Sequence, residues 1–239
     1  FFAVAVAAVL AFAGCAGVPR AERATTYPGF DVSIYPGAAT LQAWKASSPY
    51  AWIGYYLPAP CHRETSWVGK RREIERMGWG IAVLYVGQQL FENDTTGAPT
   101  SGPIICSRTL LTPEQGRLDA LDAVRKAQAE GFAPGSVVFL DVERMEAVPP
   151  EMEAYYRVWM ETVLEDGRYV PGTYAHRRNA EWLFAIALDT YREAALLGTP
   201  PFWVTGGPGF TLEQPASAVG LPFAVVWQGT VHVPRTWGG

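Results

Sequence analysis

The chain has 239 residues, 49% of them hydrophobic and only 18% charged. That apolar content can offset the entropy of folding a compact body, so wholesale disorder is excluded. With 19 Lys and Arg against 23 Asp and Glu and a net charge of -4, there is no basic excess to neutralise phosphates, and nucleic acid is not an expected partner.

Residues 1–14, FFAVAVAAVLAFAG, carry no charge and match the apolar stretch of an export signal. Cys15 follows at once. A run ending Ala13-Gly14-Cys15 resembles a bacterial lipoprotein signal, in which the new N-terminal cysteine receives the lipid. The apolar run reaches only Val18, short of the ~20 residues a spanning helix needs. The expectation is therefore export, with lipid attachment at Cys15 to the cell envelope or release as a secreted form. Residues 15–28 read as a tether and 29–239 as the folded domain.

With Cys15 so assigned, Cys61 and Cys106 remain as an even pair in an exported protein. A disulfide is expected between them, joining the loops after the second and third strands; two unrelated buried thiols are the alternative. Neither belongs to a CxxC motif, so zinc and thioredoxin-like readings lack their ligands.

From Gly29 onward, short apolar runs alternate with longer amphipathic segments, the signature of βα units around a parallel sheet. Strands are expected at Gly29–Ile34, Ala51–Tyr56, Gly80–Val86, Ser136–Asp141, Tyr169–Tyr174, Phe202–Thr205 and Phe223–Gln228. Lys70-Arg71-Arg72, beside Glu73 and Glu75, reads as a solvated helix face. A helix opens at Thr112, with Pro113 at its first position and Gln115 completing a capping box. Leu118, Leu121 and Val124 form its apolar stripe, and Gly131 closes it. Pro150 opens another, with Tyr155, Trp159 and Val163 at helical spacing before Gly167.

Seven strands fit an open doubly wound sheet or a (β/α)8 barrel lacking its last unit. Neither GxGxxG nor GxxxxGK[ST] occurs, which removes the nucleotide signals of the first. Polar residues collect at strand ends: Asp31 at the first, Asp141 and Glu143 at the fourth, Tyr174 at the fifth, Trp227 and Gln228 at the last. In a barrel those ends share the rim that holds the active site. The expected architecture is a (β/α)8, TIM-barrel-like α/β fold, incomplete at its C-terminus because the sequence stops at Gly239 before an eighth strand.

These residues carry a family resemblance. Gly29-Phe30-Asp31-Val32-Ser33, Gly54-Tyr55-Tyr56-Leu57, Gly78-Trp79-Gly80 with Tyr85-Val86-Gly87-Gln88-Gln89, and Val138-Phe139-Leu140-Asp141-Val142-Glu143 resemble the glycoside-hydrolase-like domain once catalogued as a domain of unknown function. That family is similar to the family 25 lysozymes, which cleave peptidoglycan. The resemblance runs from about Gly29 to Gln228 and implies a hydrolase acting on cell-envelope glycan. It also implies Glu143 as general acid, Asp141 as the group that stabilises charge or orients substrate, and Asp31 as a residue that binds or polarises. Tyr174 and Trp227 match rim positions of the related lysozymes.

By side-chain alternation alone, Asp141 and Glu143 lie along one strand pointing the same way, with Cα atoms about 6.6 Å apart. Crowding two carboxyls in a partly desolvated mouth keeps one protonated and one ionised near neutrality, the division of labour glycosidic cleavage requires. Arg144, Arg177 and Arg178 leave a satisfied ion network open as an alternative. A metal site is the other, although His62, His176 and His232 lack ligand spacing; no metal or cofactor is expected. No GxSxG elbow suggests a serine hydrolase. Sugar rings stack on aromatics, and Tyr35, Tyr55, Trp67, Tyr85, Tyr174, Trp203 and Trp227 fall near strand ends. Tyr55, Tyr85, Gln88, Tyr174, Trp227 and Gln228 are the candidate substrate-binding residues. The domain is expected as a monomer whose partners are glycan and, through its lipid, the membrane. A barrel that binds glycan or a partner protein without cleaving is the competing function.

Overall fold

A computed structural model describes residues 26–90, 106–207, 216–219, 221–229 and 237. The export signal, Cys15, most of the tether and His232 lie outside the described residues. Among those described, no helix is long and apolar enough to cross a membrane.

Seven parallel strands form one sheet in sequential order: β1 (Gly29–Phe30), β2 (Trp52–Tyr56), β3 (Gly80–Val86), β4 (Val137–Val142), β5 (Val170–His176), β6 (Phe202–Thr205) and β7 (Ala224–Gln228). Between them lie α1 (Ala38–Ser47), α2 (Arg71–Arg76), α3 (Pro113–Glu130), α4 (Pro150–Asp166) and α5 (Arg177–Glu193). The sheet curls into an incomplete TIM-like barrel. The edge strands β1 and β7 are bridged by side chains, Gln228 Nε2 donating to Asp31 Oδ1 at 2.7 Å. Across the interior, the Trp52 and Trp203 rings meet edge to face at 5.2 Å, and Phe139 and Tyr174 pack on Trp203.

β1 is shorter than its sequence suggests, because the ladder ends at Phe30↔Ile53 and the chain then leaves the sheet at Asp31. β5 is longer, since His176 stays extended and caps α5 directly, its Nδ1 accepting from the Arg178 N–H. The caps of α3 follow the sequence: Thr112 accepts from the Gln115 N–H, and Gly131 takes a left-handed φ of 78°.

The buried face of α3 differs from expectation. Leu118 and Leu121 are exposed, while Gly116, Ala120, Ala123, Val124 and Ala127 are buried. Small residues win that face because α4 approaches closely there: a Cβ on Gly116 would lie 2.4 Å from the Tyr155 carbonyl oxygen. On α4, Tyr155, Trp159 and Val163 are fully buried, as their spacing suggests. Arg71 is less solvated than the basic run implies. Its Nη1 pairs with Glu75 at 2.5 Å and its Nε donates to the Glu130 carbonyl at 2.7 Å.

Candidate active site

Parallel pairing places Val86, Asp141 and Tyr174 side by side, and Tyr174 beside Trp203, so these side chains share the inner face of the sheet. Asp31 joins them from the end of β1. Space for it comes from Gly54, where a Cβ would sit 2.6 Å from the Asp31 Cβ. Tyr56, two residues along β2, donates its hydroxyl to Asp31 Oδ2 at 2.6 Å. Gln228 covers the other oxygen, and the Tyr174 hydroxyl donates to Gln228 Oε1 at 2.8 Å. A continuous chain, Tyr174 to Gln228 to Asp31 to Tyr56, thus crosses the open side of the barrel. Burial first, then Asp31, raises the Tyr56 hydroxyl far above its usual range, and burial with Asp141 does the same for Tyr174, so both remain donors.

Asp141 is 5% exposed and its Oδ1 has no hydrogen-bond partner among the described residues. Burial, then Glu143, then Asp31, pushes its carboxyl well above the ordinary aspartate range. Glu143 follows β4 and is exposed. Gln89 holds the backbone between the two acids: its Nε2 donates to the Asp141 carbonyl at 2.7 Å, and its Oε1 accepts from the Glu143 N–H at 3.0 Å. Gln89 itself is 1% exposed.

Asp31, Asp141, Glu143, Tyr174 and Gln228 therefore meet at one end of the sheet. Tyr55, Tyr85 and Gln88 do not, and the reason is strand phase. Tyr55 faces the helices, its hydroxyl donating to the Trp67 carbonyl and, at 2.6 Å, to Glu130. Tyr85 likewise reaches Asp122 on α3 at 3.0 Å. Gln88 is buried behind the sheet, its Oε1 accepting from the Ser107 N–H and its N–H bonded to the Tyr155 hydroxyl. Trp227 pairs with Val204 rather than Thr205, off the inner face, and its Nε1 donates to the Gly206 carbonyl at 3.3 Å.

Tyr56 and Gln89 are site residues that sequence reasoning missed. The signal for Tyr56 was available: neighbours Tyr55 and Tyr56 cannot both face inward, and Gly54 shares the phase of Tyr56. His62 is another, its ring 4.7 Å from that of Tyr56 and its pKa lowered by burial. Cys61, beside it, is bonded to Cys106 across 45 residues, which ties the segment after β2 to the segment after β3.

The arginines form their own network beside the acids. Glu146 pairs with Arg178 at 2.5 Å and with Arg144 at 3.8 Å, and among the described residues neither Asp141 nor Glu143 has an ion pair. Nor, among those residues, do three His, Cys, Asp or Glu side chains converge as a metal cage.

Three solved structures share this fold. An uncharacterized protein of B. stearothermophilus aligns with a TM-score of 0.52 at 20% identity, covering 83% of this chain and 86% of its own. The spore cortex lytic enzyme SleM of Clostridium perfringens gives 0.52 at 13% identity, over 90% of this chain and 64% of that one. The modular autolysin LytC of Streptococcus pneumoniae gives 0.53 at 14% identity, over 84% and 42%. This chain thus spans less than two thirds of either lytic enzyme. Comparison with curated proteins finds no match. Residues 42–239, containing β2 to β7 and every acid of the site except Asp31, match one family along their whole length, and the chain belongs to the Rv2525c-like, glycoside hydrolase-like domain family.

Proposed function

We propose that this chain hydrolyses a glycosidic bond of cell-envelope glycan, with peptidoglycan as substrate and Glu143 as the acid. The observation that carries the reading is the pair of unlike carboxyls at the end of β4, Asp141 buried and Glu143 exposed one residue beyond the strand. The neighbours named as a spore cortex lytic enzyme and an autolysin support the choice of glycan. Export, with a lipid on Cys15, belongs to the same reading and accords with a disulfide at the site.

A sugar oxygen leaves readily only when protonated, and Glu143 supplies that proton. The Asp141 Oδ1, which has no hydrogen-bond partner among the described residues, suits a hydrogen bond from an acetamido N–H. This favours substrate assistance: the acetamido oxygen bonds to the anomeric carbon as the bond to the leaving oxygen breaks. Water then opens the cyclic intermediate and returns a proton to Glu143. Asp31, fixed by Tyr56 and Gln228, polarises the sugar beside it.

Because the acetamido route displaces twice at one carbon, the first product formed from purified peptidoglycan keeps the substrate's anomeric configuration. Proton NMR of the fresh digest reads it directly. An inverted product would refute the acetamido route, and no new reducing end would refute hydrolysis.

A further inference from the structure

Arg177 opens α5 at the C-terminal end of β5 and is half-buried. Its neighbours Arg144 and Arg178 share the carboxylate of Glu146, but Arg177 makes no ion pair among the described residues. The side chain instead lies along the turn after β6. A Cβ on Gly207 would sit 3.2 Å from Arg177 Nη1 and 4.0 Å from Trp227 Nε1, and Gly207 adopts a φ of 121°. A Cβ on the neighbouring Gly206 would likewise lie 2.8 Å from His176 Nε2. The turn is thus shaped so that backbone without side chains passes between His176, Arg177 and Trp227.

A guanidinium withdrawn from water is normally paired, because desolvating a charge without compensation is costly. Among the described residues Arg144 and Arg178 share Glu146, which leaves the Arg177 guanidinium without a carboxylate on the β4–β5 side of the mouth. The planar fork of Arg177 fits the two oxygens of a carboxylate. Resting on the glycan reading above, we infer that Arg177 is a specificity residue that recognises a carboxylate carried by the bound glycan, on the flank of the cleft formed by β5 and β6. This gives the site a polarity, acid chemistry on the β1–β4 side and anion recognition on the β5–β7 side, and selects acidic over neutral glycan of the same length.

Calorimetric titration with a tetrasaccharide of alternating N-acetylglucosamine and N-acetylmuramic acid, as the free acid and as its primary amide, isolates the charge. The parent protein should bind the free acid about tenfold more tightly than the amide, the scale of one charge-assisted hydrogen bond. Arg177→Gln should bring the two affinities together by weakening only the acid, and Arg177→Lys, which keeps the charge without the fork, should retain part of the preference. Equal binding of acid and amide by the parent would overturn the inference while leaving the glycan reading intact. So would an undiminished preference in Arg177→Gln. Binding of neither saccharide would overturn both. The parent comparison and Arg177→Lys keep the test decisive if Arg177→Gln does not fold.

Discussion

Replacing Gln89 with Met keeps the volume and flexibility of the side chain and removes its amide. Three hydrogen bonds go with it, to the Asp141 carbonyl at 2.7 Å, to the Gly87 carbonyl at 3.4 Å and from the Glu143 N–H at 3.0 Å. Each is worth about 0.5–1.5 kcal/mol net, and stranding a partly buried N–H adds to the loss, so about 2–4 kcal/mol is expected in all. For a chain of this size each kcal/mol moves the melting temperature by roughly 2–4 °C, so a fall of roughly 5–15 °C should appear in a calorimetric or circular dichroism melt. The loss is local in origin. Glu143 would no longer be held relative to Asp141, and turnover on peptidoglycan should fall by more than the loss of folded protein explains. A Gln89→Met protein that melts within about 2 °C of the parent and retains full activity would refute the claim that this amide sets the geometry of the acid pair.

Asp141 predicts a particular pH dependence of stability. Its folded pKa is raised, so the folded state holds a proton that the unfolded state has released, and stability is lost as pH climbs from about 3.9 towards the folded value. Asp141→Asn removes that loss, so the variant should gain melting temperature over the parent between pH 4 and 8; a constant difference across that range would contradict the burial argument. Removing the Cys61–Cys106 bond by the double Ser variant opens a loop of 45 residues and should cost about 4 kcal/mol in the chain-entropy model, measured by denaturant unfolding. An unchanged midpoint would show that the bond is not formed in solution. For export, the protein produced with its leader in a bacterial host should partition into detergent and lose that behaviour in Cys15→Ala; partition that survives the substitution would exclude the lipid.

The barrel was legible because its strands are short, apolar and regularly separated by capped helices; β3 and β6 coincide with the expected residues. Strand ends were less so. Asp31 leaves the sheet to meet Tyr56 and Gln228, long-range partners that no local pattern reports. Asp141 could be found from alternation, which places it on the inner face beside Val86 and Tyr174, but Glu143 lies one residue beyond β4, where alternation no longer sets its direction. Alternation applied to β2 and β3 would have set Tyr55 and Tyr85 on the helix side and chosen Tyr56 instead. Gln89 was hidden for a different reason: it follows β3 but acts on the backbone of β4, and a side chain that holds another strand's main chain leaves no periodic mark. The face of α3 was misread because its leucines outrank its alanines in hydrophobicity, whereas close approach to α4 selects for small size.

Glycan cleavage at this site depends on Glu143 acting as a proton donor. Reducing ends released from purified peptidoglycan, followed for the parent and Glu143→Gln across pH 4 to 8, test it most directly. The predicted result is cleavage by the parent and a loss of about two to four orders of magnitude in the variant, with glycan binding retained. A parent protein that binds glycan but releases no more ends than Glu143→Gln at any pH would contradict it and leave a barrel that binds without cleaving.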